Sequence, residues 1–304
     1  MPTYTRDHCP ICGSVKHRVL GDLDCTGAVL PPPADSAIRS CRACALVYVN
    51  PMPHWQPDEF ELLYGTGYFP SVDPAWEAKR STEIPGYRFR IIARLIRCEK
   101  RTAIEIGSGV SAFMARFLAN MGWQVDAQEP STAFVEQLRR SDARINVLHQ
   151  PLLSLPSTRR YSLVYADSVL EHLPDPVPYF DKISELLEPG GLLYFVSPNE
   201  YSLGNVLATF RNRCGSGNAR MLCPYTDSYH LIGYSKRAVE IVGRRTGLRL
   251  VRFAREGDFQ WWHTLREGPR SPRRYAHSAA AFAANALGLG TNLEIAMRRD
   301  LTSW

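Results

Sequence analysis

Four of the eight cysteines fall in two matched pairs, Cys9-Pro10-Ile11-Cys12 and Cys41-Arg42-Ala43-Cys44, each followed by a small residue, Gly13 or Ala45. A two-residue gap lets one tight turn aim two thiolates at one ion, and four thiolates at about 2.3 Å complete the tetrahedral shell of zinc. No coordination position is left for water. The pattern predicts a structural zinc held by Cys9, Cys12, Cys41 and Cys44, in preference to a catalytic or redox centre. Cys25, Cys98, Cys214 and Cys223 lack that spacing and read as ordinary thiols.

A second constellation lies between Thr102 and Glu129. Gly107-Ser108-Gly109-Val110-Ser111-Ala112 follows an apolar run and satisfies the G-x-G-x-x-A turn that lets backbone approach a nucleotide. Glu129 stands 22 residues past Gly107, where a carboxylate chelates two ribose hydroxyls. A dinucleotide would fit that much. Glu105, two residues before the first glycine, would repel a pyrophosphate yet suits a cationic amino group, directly or through water. Downstream, Asp167 ends another apolar run and leads into Ser168-Val169-Leu170-Glu171-His172-Leu173-Pro174-Asp175-Pro176.

The elements that must hold these groups follow from the pattern. Residues 102–106, 125–129, 161–167 and 192–196 read as buried strands, and 113–120, 131–140 and the stretch up to about 188 as helices, with Ser131 capping the second. That βαβ alternation predicts an open, mostly parallel α/β sheet with helices on both faces. Residues 247–253 and 292–297 read as the last two strands, an antiparallel edge joined through an Ala-rich helix near 276–287. Residues 1–53 form a zinc-ribbon domain, in which a 28-residue insert containing Pro31-Pro32-Pro33 reads as a surface loop and 46–49 as a short strand. Residues 54–85, rich in aromatics (Trp55, Phe60, Tyr64, Tyr68, Phe69, Trp76), read as a linker or a lid, and 86–304 as the α/β domain, with its first helix over 86–98.

The 304 residues suffice for about two domains, and 45% apolar with 22% charged residues excludes wholesale disorder or a fibrous repeat. No run approaches the about 18 apolar residues of a membrane span, and the first twelve residues lack the basic-then-apolar pattern of a secretory signal. The expected location is the cytoplasm, away from membranes. The net charge of +6 is uneven: residues 1–200 carry 20 Lys+Arg against 23 Asp+Glu, and 201–304 carry 16 against 7. Only five of the 36 cations are Lys, and Arg forks match carboxylates and phosphates, so the C-terminal third suits an acidic or phosphorylated small molecule unless it is simply a solvated face.

The segments EIGSG, QEPS, ADSVLEHLPDP, LLEPGGLLYFVSPN and HLIGYS occur in an order and spacing by which the chain resembles the class I S-adenosylmethionine-dependent methyltransferases, in their small-molecule branch. Residues 9–53 look like the zinc-ribbon extension of many bacterial members, often enzymes of sugars and secondary metabolites. The resemblance implies a Rossmann-like sheet with the cofactor across the carboxyl ends of its first strands. Glu105, Gly107, Ser108 and Gly109 would lie near its methionyl part, Glu129 and Pro130 at the ribose, and Asp167 beside the transferable methyl group. Two positions depart from the family: Ser111 replaces the third loop glycine, and Gln150-Pro151-Leu152 replaces the adenine-side acid.

Methyl transfer from a sulfonium is an in-line displacement that needs the acceptor about 3 Å from the methyl carbon. If the acceptor is a hydroxyl, His172 and His230 are the candidates to take its proton, the alternative being that each braces a loop. Some relatives that methylate catechol-like hydroxyls pair an E-x-x-E-H sequence with a metal ion; here Ser168 stands for the first Glu, so a catalytic magnesium is not supported. Tyr225, Tyr229 and Tyr234 are candidates for an acceptor pocket or for core, and Arg211, Arg213 and Arg220 for anion contacts or solvated cations. The expected activity is O-methylation of a small polar acceptor, a sugar or natural-product intermediate. The alternatives are an RNA methyltransferase gripping RNA with its ribbon, a non-catalytic cofactor-binding scaffold, and a nicotinamide dehydrogenase. Against RNA, residues 1–53 carry only Arg6, Lys16, Arg18, Arg39 and Arg42.

Overall fold

The computed structural model describes residues 3–22, 35–53, 57–64, 74–213, 230–256 and 282–300, with Tyr275 and Ala279. In chain order the strands are β1 (Thr3–Tyr4), β2 (His17–Asp22), β3 (Ala37–Cys41), β4 (Val47–Asn50), β5 (Met52–Pro53), β6 (Thr102–Ile106), β7 (Gln124–Gln128), β8 (Ile145–Leu148), β9 (Tyr161–Asp167), β10 (Leu187–Pro198), β11 (Ile232–Gly233), β12 (Leu248–Glu256) and β13 (Asn292–Arg299). The α-helices are α1 (Pro57–Tyr64), α2 (Pro74–Leu95), α3 (Phe113–Asn120), α4 (Thr132–Ser141), α5 (Pro176–Leu186), α6 (Leu203–Arg213) and α7 (Lys236–Thr246).

Seven strands form the main sheet in the order β12-β13-β10-β9-β6-β7-β8. The five strands from β10 to the β8 edge pair in parallel, and β13 runs antiparallel to both β10 and β12. Parallel strands have helices on both faces, which is why β9 and β10 read as near-continuous apolar runs. Alternate residues serve the two faces. Ile104, Ile106, Val164 and Phe195 pack with α5, α7 and the N-terminal module, while Ala103, Leu163, Tyr165 and Tyr194 pack with α2 and α3. The expected α/β class, with its antiparallel edge, is what the chain adopts. Of the Ala-rich connecting helix, residues 282–286 are helical and most of the rest lies outside the described residues.

The N-terminal module does not close on itself. Its four-stranded sheet has the order β11-β4-β3-β2, so β11, far along the chain, is one of its edges. The Ser235 hydroxyl caps α7 by accepting from the Ala238 N–H and at the same time donates to the Cys44 carbonyl. Arg245, in the last turn of α7, donates to the Ile11 carbonyl, and the Tyr201 hydroxyl donates to that of Ala45 at 2.8 Å.

Two local elements differ from their sequence reading. Helix α2 begins at Pro74, not near 86, and passes through Pro85. A proline removes one intrahelical hydrogen bond, but buried Ile84, Arg88 and Ile92 at four-residue spacing hold one face against the sheet. Ser131 occupies the N-cap position of α4 without capping it by its own side chain. Its hydroxyl donates to Glu61 Oε1 at 2.8 Å, and Glu61 Oε2 accepts the Thr132 N–H at 3.2 Å, so a carboxylate from α1 meets the positive end of α4.

Candidate active site

The carboxyl ends of β6, β7 and β9 meet at the glycine turn. Gly107 and Gly109 have φ of +59° and +56°, the left-handed region that favours glycine, and Ala112 opens α3 from φ 38°. Gly107 has a second reason to lack a side chain. A Cβ built there would stand 2.6 Å from a methyl of Val169, on the loop that follows β9. That loop, turned by Ser168 at φ 55°, therefore sits directly over the turn.

Acids and amides tie the turn to its neighbours. Glu105 is buried, and its Oε2 accepts the Ala115 N–H at 2.7 Å, serving an otherwise unpaired donor in the first turn of α3. Glu129 follows β7 with both oxygens aimed inward: Oε2 accepts the Gly109 N–H at 2.8 Å and Oε1 the Ser131 N–H at 2.9 Å. Burial pushes its carboxyl up to about 7, against those two hydrogen bonds that favour the charged form. The Pro130 carbonyl lies 3.1 Å from a ring nitrogen of His149, and Ser108 donates its N–H to the Gln128 carbonyl at 3.1 Å. Gln128 enters the sequence reading only as the first residue of QEPS, with no role assigned to it. Its amide accepts the Gly107 N–H at 3.1 Å and donates to the Gln150 carbonyl at 2.8 Å, and the only signal was a polar residue ending a buried strand.

Asp167 ends β9 in an ion pair. Arg88 Nη1 lies 2.5 Å from its Oδ2, both side chains at most 10% exposed, and Arg88 also donates to the Tyr165 hydroxyl. Glu294 approaches Arg88 Nε at 3.8 Å and accepts the Tyr194 hydroxyl at 2.8 Å. Arg88 too was missed, although a cation interrupting the apolar stripe of Ile84 and Ile92 is the mark of a buried partner.

His172 and His230, distant in sequence, meet with ring centroids 4.6 Å apart, both buried. Burial, and then the His172 charge, holds His230 well below its ordinary value. Glu171 beside them is fully buried, and burial pushes it up to about 8. Tyr234 belongs to the core, its hydroxyl donating to the Leu170 carbonyl and its ring edge-on to Phe180 and Phe195. Tyr225, Tyr229, Arg220, Cys25, Cys214, Cys223 and the aromatics Trp55, Tyr68 and Phe69 lie outside the described residues, as do the side chains of Phe60, Tyr64, Trp76, Arg211 and Arg213.

The four cysteines converge. Cys9 and Cys44 sulfurs are 3.6 Å apart, those of Cys12 and Cys41 3.5 Å, and all four lie within 4.8 Å of one another. Sulfurs on one tetrahedral zinc would stand about 3.8 Å apart, so the set fits a structural zinc. Left-handed Gly13 and Ala45 turn the chain after each pair, donating to the Cys9 and Cys41 carbonyls. Packed this closely the thiols titrate unequally: the Cys44 thiol beside it lowers Cys9, and burial raises Cys12.

A model of the methyltransferase domain matches residues 79–267. The chain belongs to this family. The methyltransferase takes S-adenosylmethionine as its cofactor, and the left-handed glycines with the inward-facing Glu129 carboxylate fit that molecule. It is similar to the tRNA U34 carboxymethyltransferase of Pseudoalteromonas atlantica, 25% identical over 127 residues, 40% of this chain and 38% of that protein. It is also similar to the ubiquinone biosynthesis O-methyltransferase of Nitrosospira multiformis, 27% identical over 133 residues, 42% of this chain and 55% of that one. The methyltransferase thus spans only part of those relatives' length. Among solved structures, a methyltransferase in complex with the Trm112 activator of Haloferax volcanii shares the fold, with a TM-score of 0.54 and 15% identity over 80% of this chain and 98% of that one. Among the described residues no helix is long and apolar enough to cross a membrane.

Proposed function

We propose that this methyltransferase carries a methyl group to an oxygen of a small polar acceptor, a hydroxyl of a sugar or natural-product intermediate. The observation that carries the reading is the buried His172–His230 pair on and beside the loop that overlies the glycine turn. S-adenosylmethionine, when bound, supplies an electrophilic methyl group on a sulfonium. In this reading the left-handed turn at Gly107, Ser108 and Gly109 lines its methionyl part near Glu105, and Glu129 with Pro130 holds the ribose. Arg88 fixes Asp167 beside the methyl group, so the floor of the site is set before the acceptor arrives.

A hydroxyl must lose its proton as its oxygen attacks, and the imidazole pair governs that proton. Burial keeps His230 neutral near pH 7, with a lone pair available, and keeps water away from the displacement. The Arg-rich C-terminal third favours an acceptor bearing carboxylate or phosphate. The ribbon is joined to β11 by strand pairing and to α7 through its Cys44 and Ile11 carbonyls, which supports a structural role for it over an RNA grip.

The test is transfer of labelled methyl to a panel of hydroxylated sugars and natural-product intermediates, with bulk tRNA in parallel at two salt concentrations. His172→Ala and His230→Ala should lower kcat by about 10²–10⁴ while calorimetric S-adenosylhomocysteine affinity stays unchanged. Label appearing in RNA alone, or full kcat in both variants, overturns the reading. Binding of NADH in place of S-adenosylhomocysteine would overturn the cofactor assignment as well.

A further inference from the structure

The short helical turn Leu170–His172 and His230, two residues before β11, bring Glu171, His172 and His230 to one point. Atoms able to ligate a metal, one from each side chain, lie within 4.8 Å of one another. The three are 0%, 7% and 5% exposed. Neither oxygen of Glu171 nor Nδ1 of His230 finds a hydrogen-bond partner among the described residues. The Ser197 hydroxyl stands near Glu171, but it too completes no hydrogen bond.

Unpaired polar atoms in a protein interior are costly and rare enough that three at one point require a cause. Among the described residues the backbone nearby supplies only the Glu171 N–H, which favours the charged form of its own carboxylate without completing a hydrogen bond. The Leu231 N–H is spent on the Glu171 carbonyl, the His172 N–H on that of Val169, and the Tyr234 hydroxyl on that of Leu170. Asp167 and Glu200 add negative potential at Glu171, so the missing partner is a cation and not an anion.

We propose that Glu171, His172 and His230 form a second metal site, for a divalent transition ion, separate from the four-cysteine cluster. Two imidazoles and one carboxylate suit zinc, cobalt, iron or nickel, whereas magnesium takes oxygen ligands and keeps its waters. This agrees with the missing first acid at Ser168. Nitrogen and oxygen ligands on one tetrahedral ion stand about 3.4 Å apart, so side-chain adjustment of up to about 1.4 Å closes the set. Three protein ligands leave a position open for water or an acceptor oxygen, whose proton a bound ion acidifies. With an ion bound the imidazole lone pairs go to it, so the ion, in place of a histidine, would act on the acceptor's proton; that role rests on the transfer reading above, and binding of the ion does not.

The experiment is metal counting on the full chain. Protein stripped of all its metal, the cysteine-held zinc included, and reloaded with cobalt(II) should hold two ions per chain. One shows the intense sulfur-to-cobalt charge transfer of a thiolate site, and the other only weak visible bands from nitrogen and oxygen ligands. Glu171→Gln and His230→Ala should each bring the count from two to one, losing the weak bands and keeping the charge transfer, with S-adenosylhomocysteine binding as the check on folding. One cobalt per chain in the unaltered protein, which needs no variant to fold, overturns the proposal, as does a second ion that survives both substitutions. A chain that holds two ions and methylates no hydroxyl sinks the transfer reading alone. A chain that methylates with one ion sinks the metal site alone.

Discussion

Gly107→Ala separates two reasons for a glycine that are usually confounded. At φ +59° an alanine enters the left-handed region, at a cost of about 1–2 kcal/mol. Its Cβ would also meet Val169 Cγ2 at 2.6 Å, Cγ1 at 3.1 Å and Cβ at 3.5 Å. Rotating χ1 cannot clear both methyls, because valine is branched at Cβ, so the Val169 loop itself must move. Overpacking of this kind adds about 1–3 kcal/mol, for a total of about 2–5 kcal/mol. Gly109 is the internal control: its φ is +56°, but nothing lies within 4 Å of its built Cβ, so Gly109→Ala should lose only the backbone part, about 1–2 kcal/mol. Urea unfolding of Gly107→Ala, Gly109→Ala, Val169→Ala and the Gly107→Ala/Val169→Ala pair completes a double-mutant cycle. The pair should recover the contact part, with a coupling of about 1–3 kcal/mol. Equal losses at the two glycines, or no recovery in the pair, would refute the close approach of the loop to the turn.

Four further outcomes are expected. Glu129 titrates near 7 in the free protein, so S-adenosylhomocysteine affinity should fall about tenfold per pH unit below that value, and a flat profile from pH 8 to 6 would remove Glu129 from the ribose site. Because the folded value is raised above 4.5, its stabilising effect is complete below pH 4.5 and is lost as pH rises through 7, about 3 kcal/mol in all; Glu129→Gln, compared by urea unfolding at each pH, should lack that slope. Arg88→Met strands the buried Asp167 and Glu294 carboxylates and should destabilise by about 3–5 kcal/mol, whereas a loss under 1 kcal/mol would mean that the ion pair contributes little. Stripping zinc should lower one cooperative thermal transition of the whole chain, since β4 and β11 share a sheet; two separate transitions would mark the ribbon as independent.

What the residues disclosed in advance was what local chemistry determines. A Cys-x-x-Cys pair is a ligand set within one turn, and an apolar run such as 161–167 is a buried parallel strand because both its faces are covered. The glycine turn announced itself by composition. Contacts between distant segments left no such trace. Nothing in the two residues Ile232 and Gly233 distinguishes a strand, and they become one only because β4 offers an edge. His172 and His230 each carried a role in the sequence, but their meeting depends on how β11 lies against the loop after β9. The start of α2 was obscured by Pro85, which argues locally against a helix that packing of Ile84, Arg88 and Ile92 sustains.

The hydrogen bond from Ser235 to the Cys44 carbonyl spans 191 residues of sequence and joins a metal knuckle to the first turn of α7. Zinc that binds the folded cysteines and not the unfolded chain adds stability that grows with free zinc, by about 1.4 kcal/mol for each tenfold rise above its dissociation constant. Since that knuckle and α7 are built on each other, the gain is distributed to the domain that binds the nucleoside cofactor. Metal supply would thereby act on how much of the chain is folded. A grafted copy of residues 1–53 would lack the strand and helix it leans on, so the ribbon is expected to travel between proteins only together with the segment that carries β11 and α7.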